Sequence, residues 1–310
     1  MFATVNNKRN RNNSGTHFRI AFLAAVLFFI FTLLSACRVY ESRELPVVSD
    51  YMPDPVIEIF DLRVGVVSGP YRDMFNEAVL PSLERMGYTA AFEYYDDYTS
   101  PNFALAHGEI DLNIFQHYEY LNTFKFENDL ALSAIIEIPT VSMSIFSNRF
   151  VSAGDFTPGT SVSIPDDASN LSRALRVLEA ANIIILDPAI DKSKATIADI
   201  IHNQYEIRLI PFPAHYLVDT LDSYDASVIP GNFAISSGLD FSKALYKEVL
   251  AENYKIVIAV RTEDLNKQFV RDIIDIMHSE SFREIIADPS GSYTGFQLPR
   301  WLYDLMSGAR

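Results

Sequence analysis

A single cysteine, Cys37, occurs in 310 residues. No disulfide can form within the chain, and zinc sites that need two or more thiolates are excluded. Positive charge is also scarce, with 25 Lys+Arg against 40 Asp+Glu and a net charge of −15. Nucleic acid and anionic lipid headgroups are bound through basic patches, so both repel a chain this acidic. The six histidines (His17, His107, His117, His202, His215 and His278) never pair at i,i+3 or i,i+4, and no metal site is expected. G-x-G-x-x-G, G-x-x-x-x-G-K-[ST] and G-x-S-x-G are all missing, which removes the usual signatures of dinucleotide, nucleotide and ester chemistry. The chain therefore reads as a non-enzyme without a cofactor. A hydrolase would need Ser, His and Asp to converge from distant positions. No internal repeat or low-complexity tract is present.

What is present begins with charge of one sign. Lys8, Arg9, Arg11 and Arg19 precede Cys37, and no acidic residue does. An apolar run of 15 residues, 20–34, follows Arg19. It is short for a bilayer-spanning helix, which needs about 20 residues. Basic residues, an apolar segment and then small residues are the parts of an export signal. Leu33-Leu34-Ser35-Ala36 ahead of Cys37 resembles the lipobox of bacterial lipoproteins. That resemblance implies cleavage after residue 36 and acylation of Cys37 with fatty chains such as palmitate. The protein would then be anchored to a membrane on its extracytoplasmic side. The mature chain would carry 21 Lys+Arg against 40 Asp+Glu, a net charge of −19. Residues 37–57 contain Pro46, Pro53 and Pro55 without apolar periodicity and read as a lipidated tether.

From Ile59 onward, short β-branched runs alternate with helically spaced segments. Strands are expected at 62–67, 91–95, 111–115, 132–138, 141–146, 162–164, 183–186, 205–210, 226–229 and 254–260. A helix through Met74, Phe75, Ala78 and Leu83 should kink at Pro81. A short helix over 103–107 should stop at Gly108, and Leu171, Leu175 and Leu178 form one helical stripe. Thr196/Asp199 and Ser281/Glu284 have capping-box spacing. This alternation predicts an α/β fold with mainly parallel sheets.

One stretch carries more than secondary structure. Gly108-Glu109-Ile110-Asp111-Leu112-Asn113-Ile114-Phe115-Gln116-His117, followed by Tyr120-Leu121, places aromatic and polar groups at a strand's carboxyl end. Ligands of open α/β sheets bind there. The stretch resembles G-[DE]-I-D-x-N-x-F-Q-H, then Y-L, of the NlpA/MetQ-type methionine-binding lipoproteins, the substrate-binding proteins of ABC transporters. Tyr98-Thr99-Ser100-Pro101-Asn102-Phe103-Ala104-Leu105 is similar to that family's D-Y-x-x-P-N-x-A-L. Val162-Ser163-Ile164-Pro165-Asp166-Asp167-Ala168-Ser169-Asn170, with Arg173-Ala174-Leu175, is similar to V-x-[VI]-P-N-D-P-T-N-x-x-R-[AS]-L. Val228-Ile229, Phe233-Ala234 and Trp301 extend the likeness over residues 58–301.

The resemblance implies a two-lobed periplasmic-binding-protein-like fold with a hinge and an interlobe cleft. Residues 58–139 plus 231–310 would form lobe I and 140–230 lobe II, with crossovers near Pro139 and Pro230. The ligand would be methionine, L-methionine first, or a related amino acid, and the partner an ABC permease. Arg173 would take the carboxylate through two parallel bonds. Asn170 would cap its helix, bind ligand or do both. Tyr98, Phe115, His117 and Tyr120 would wall the side-chain pocket, where thioether–ring contacts contribute about 0.3–1.5 kcal/mol each. The family places Asn, which holds the ligand's ammonium, where this chain has Pro230; Asn232 would substitute for it or cap a helix. Glu119 and Asp166 also depart from the family pattern and could favour a cationic or peptide ligand. Two alternatives remain open: a surface lipoprotein of the same fold acting as an adhesin or assembly factor, and a receptor for another amino acid or short peptide.

Overall fold

The computed structural model describes residues 61–308. Cys37, the expected signal segment 1–36 and the tether 37–57 lie outside the described residues. Twelve strands and nine α-helices follow, linked by single turns of 3-10 helix.

The first sheet holds β1 (Asp61–Val67), β2 (Thr89–Tyr95), β3 (Leu112–His117), β4 (Leu132–Ile138) and β12 (Ile256–Arg261), in the order β2-β1-β3-β12-β4. The second holds β5 (Ser144–Phe146), β6 (Ser161–Pro165), β9 (Arg208–Phe212), β10 (Ala226–Ile229) and β11 (Tyr246–Lys247), in the order β11-β5-β10-β6-β9. β7 (Ile184–Leu186) and β8 (Ile200–Asn203) form a small antiparallel pair. In each five-stranded sheet, two pairings are parallel and two antiparallel. The antiparallel ones involve β12 in the first sheet and β5 in the second. Both strands directly follow a crossing of the chain from one sheet to the other.

The helices are α1 (Tyr71–Ala78), α2 (Leu80–Arg85), α3 (Ser100–Ala106), α4 (Tyr118–Glu127), α5 (Ala168–Ala180), α6 (Gly231–Ser236), α7 (Gln268–Met277), α8 (Glu280–Ala287) and α9 (Arg300–Ser307). The helix expected to kink at Pro81 is broken instead: α1 ends at Ala78 and α2 starts at Leu80, with Pro81 in its first turn. Proline lacks the N–H that a continuous helix would need there, whereas a first turn tolerates its absence. The Thr196/Asp199 box is present, but the Ser281/Glu284 box is not. Ser279 caps α8 by accepting from the Phe282 N–H, which leaves Ser281 inside the helix.

Burial follows from the sequence patterns. Leu62, Val64 and Val66 of β1 pack with α1, α2, α7 and α8 on one face of the first sheet. Leu105, Leu121, Ala134 and Val257 fill the other face beneath α3 and α4. In the second sheet Val162, Ile164 and Val228 pack against Leu175 and Leu178, two members of the expected stripe on α5. A third apolar cluster joins Val67 and Phe115 of the first sheet to Phe146 and Ile229 of the second.

The chain crosses between the sheets twice, after β4 and after β11, while the stretch from β10 to β11 begins and ends on the second sheet. The expected division also had two crossings, but set the second near Pro230 and placed all of 231–310 with the first sheet. Tyr246–Lys247 instead pair antiparallel with β5 of the second. The segment after β10 packs against the first crossing. A Cβ on Gly231 would lie 2.5 Å from Val141 Cγ1 and 2.6 Å from Ser142 O, so only glycine fits where that segment meets the first crossing.

Candidate functional site

The carboxyl end of β3 and the segments that follow β1, β6 and β10 surround a cavity of about 20 Å³. It is lined by all seven residues singled out in the sequence: Tyr98, Phe115, His117, Tyr120, Asn170, Arg173 and Asn232. Residues from both sheets thus converge on one point. Tyr71, Gln116, Thr140, Val141, Pro230, Gly231 and Ile256 complete the lining. Arg173 is the only formally charged side chain among these.

The end of β3 is shaped by a bulge. Ile114 faces Ile258 and His117 faces Ile256, so two residues of β3, Phe115 and Gln116, oppose only Val257. A bulge re-aims side chains at a strand end. Here it turns Gln116 to the Asn113 side of the strand. Gln116 Nε2 donates to Asn102 Oδ1 (2.6 Å) and to Asn113 Oδ1 (3.0 Å), while Asn102 Nδ2 donates to Gln116 Oε1 (2.7 Å). Asn113 Nδ2 also donates to Asn102 Oδ1 (3.0 Å). All three amides are buried, and the network fastens α3 to β3. Ahead of α3, the Asp97 carboxylate accepts from the backbone and hydroxyl groups of Thr99 and Ser100. Burial acts to raise its pKa, but these four bonds outweigh that and hold it at about 2.

His117 is the N-cap of α4: its Nδ1 accepts from the Tyr120 N–H at 3.0 Å. The other ring nitrogen must then carry the proton, and Nε2 donates to Asn170 Oδ1 at 3.1 Å. Burial, and next the nearby Arg173 charge, lower the His117 pKa to about 3 despite the Asn170 bond, so the ring is neutral. Asn170 in turn donates through Nδ2 to both Asp167 oxygens, at 3.2 and 3.1 Å. Asp167, not Asn170, caps α5, accepting the Asn170 N–H at 3.0 Å. The side chain of Asn170 is free of that role because the third position of the helix points it at His117. Burial raises the Asp167 pKa against the bonds from Asn170.

The aromatic wall is continuous. Tyr98 lies 5.7 Å from Phe115, 5.7 Å from Tyr120 and 5.4 Å from Phe233, measured between ring centroids. Burial raises the Tyr98 pKa well above the ordinary phenol value, so the hydroxyl keeps its proton and donates to Asn232 Oδ1 at 2.8 Å. Asn232 Nδ2 donates to Ser68 O at 2.9 Å. Asn232 therefore caps no helix; it ties the turn after β1 to the start of α6. The contact is close, since a Cβ on Gly69 (φ +146°) would sit 2.6 Å from Asn232 Cβ.

Arg173 departs most from expectation. The two parallel bonds expected for a ligand carboxylate are made to Glu248: Nε–Oε1 2.9 Å and Nη2–Oε2 2.6 Å. Both side chains are nearly inaccessible, at 5% and 10% exposure. Burial opposes the Arg173 charge, but the Glu248 carboxylate more than compensates and raises its pKa, so the guanidinium stays ionised. It also lies 5.3 Å from the Tyr254 ring centroid. Nothing in the sequence marked Glu248, which follows β11 in an irregular stretch. Tyr71 had a signal that went unread, since it directly follows the turn at the end of β1. Glu119 and Asp166, expected to alter the charge of the cleft, do not line the cavity. Glu119 accepts from Asn253, and Asp166 is exposed.

Among the described residues, no group of three His, Cys, Asp or Glu could hold a metal ion, and no helix is long and apolar enough to cross a membrane. Comparison with known proteins adds the family. Outer membrane lipoprotein 3 of Mannheimia haemolytica is 29% identical over 241 residues, covering 77% of this chain and 90% of its own. The methionine-binding lipoprotein MetQ of Bacillus subtilis (strain 168) is 28% identical over 244 residues, covering 77% and 88%. The solved structure of a nutrient-binding protein from Burkholderia cenocepacia bound to methionine superposes with a TM-score of 0.69 at 28% identity, covering 73% of this chain and 95% of that one. The sequence profile of the NlpA lipoproteins matches residues 62–301, a span that contains every residue lining the cavity and, apart from Asp61, both sheets. The chain is a member of the NlpA lipoprotein family, built on a two-lobed periplasmic-binding-protein-like fold.

Proposed function

We propose that this protein is the substrate receptor of an ABC importer for methionine or a closely related amino acid, anchored to the membrane through an acylated Cys37. The observation that carries the reading is the convergence of an aromatic wall, a neutral His117–Asn170 pair and one guanidinium on a single cavity between two sheets. Tyr98, Phe115 and Tyr120 offer ring faces and edges to a thioether. Arg173 offers charge-assisted bonds to a carboxylate. The two sheets would belong to lobes that swing about the crossings. A cavity of about 20 Å³ holds roughly one water, so an amino acid enters only when the lobes part. Binding then favours closure through contacts with both lobes, and the closed form would dock on the permease.

Calorimetry on the full chain in detergent, with L-methionine, D-methionine and methionyl peptides, tests the reading. L-methionine is expected to bind most tightly. Arg173→Ala should weaken it by at least about 30-fold, the loss of charge-assisted bonds in a buried site. A folded protein that binds none of these ligands and carries none through purification would overturn the assignment.

A further inference from the structure

We propose that Glu248 is an internal stand-in for the ligand's carboxylate and sets the affinity of the site by competing for Arg173. The inference rests on the reading of Arg173 as the carboxylate clamp. A guanidinium offers its best edge for a planar carboxylate at Nε and Nη2. Glu248 occupies that edge, with a further Nε–Oε2 contact of 3.1 Å, while Nη1 makes no hydrogen bond among the described residues. Arg173 lines the cavity, whereas Glu248 does not. An incoming carboxylate therefore meets a cation that is already neutralised.

Two features allow an exchange of partners. Glu248 Oε2 also accepts the Met143 N–H at 3.1 Å, a bond the carboxylate can keep after leaving Arg173. The Glu248 backbone, by contrast, is held. Its carbonyl accepts from Ser142 Oγ (2.9 Å) and Gln297 Nε2 (2.7 Å), so the side chain can move while the backbone stays in place. Without a ligand, the pair spares Arg173 the cost of a buried, uncompensated charge. With a ligand, that same pairing is what has to be given up. Removing the Glu248 charge therefore destabilises the unliganded protein and tightens binding of any ligand that brings a carboxylate.

The test uses the full chain in detergent. Glu248→Gln, nearly isosteric, is titrated with L-methionine and with L-methioninamide, which lacks the carboxylate. The expected result is about tenfold tighter binding of L-methionine and no gain for the amide. Equal or weaker L-methionine binding by a folded Glu248→Gln protein overturns the proposal. A second arm does not depend on methionine. Glu248→Ala leaves room for a small anion, and sodium formate should raise its melting temperature more than that of wild type at the same ionic strength. Formate stabilising both proteins equally also overturns the proposal. Formate rescue without methionine binding by any variant would retire the methionine assignment and keep the role of Glu248.

Discussion

His117 shows how one side chain can serve two purposes at a fixed protonation state. Its Nδ1 closes the first turn of α4 while its Nε2 proton reaches Asn170, and the bond accepted at Nδ1 requires the neutral ring. The folded imidazole stays neutral down to about pH 3, whereas the unfolded one takes up its proton near 6.5. As pH falls between those values the unfolded state binds the extra proton, so stability is lost across that window and is complete above it. Between pH 7 and pH 5 the loss from this residue should be about 2 kcal/mol. Urea melts at the two pH values should show His117→Gln with a flatter dependence than wild type. An unchanged slope would remove His117 as its source. Residues of this kind were legible in the sequence because their neighbours were distinctive: Phe115-Gln116-His117 and Asn170 with Arg173 stand in matched motifs. Glu248 was not, because its partner lies 75 positions away and nothing local distinguishes it from the other exposed-looking acids of the chain.

At the scale of elements, most strands were readable because β-branched runs bounded by turn residues have few other folds available. β4 and β10 lie where the pattern put them, at Leu132–Ile138 and Ala226–Ile229. β11 was missed since two residues, Tyr246 and Lys247, carry no period, and β8 since its residues are half exposed. The bulge in β3 was equally hidden: it is defined against β12, some 140 residues later. What holds that strand end is the amide network of Asn102, Asn113 and Gln116. Asn102→Ala would leave at least one buried amide without its partner, at a cost of roughly 2–4 kcal/mol for one or two such groups. Denaturant titration should register the loss, together with weaker ligand binding as Phe115 and His117 lose their fixed direction. Full stability in that variant would mean that α3 and β3 are held by apolar packing alone.

For the whole molecule, the decisive part is where the two crossings meet. Gln297 pairs its backbone with Thr140, and its side chain donates to Ser142 Oγ (2.7 Å) and Glu248 O (2.7 Å) while accepting the Leu250 N–H (2.9 Å). One residue near the C-terminus therefore fastens the first crossing to the second. In Gln297→Ala, the Leu250 amide should exchange with deuterium at least tenfold faster, a loss of about 1.4 kcal/mol in local protection, while amides of β1 keep theirs. Unchanged exchange at Leu250 would show that the crossings are held by packing. Chain order alone could not reveal this arrangement, since it depends on residues 140, 248 and 297 meeting in space. Its consequence concerns what a transport partner can sense. Two connections fastened at one point leave the lobes, if they swing as proposed, close to a single axis of rotation. Every accepted solute then produces nearly the same closed shape, and the outer surface signals that the cleft is filled without signalling by what. Selection among solutes has to be finished inside the cavity, before any encounter at the membrane.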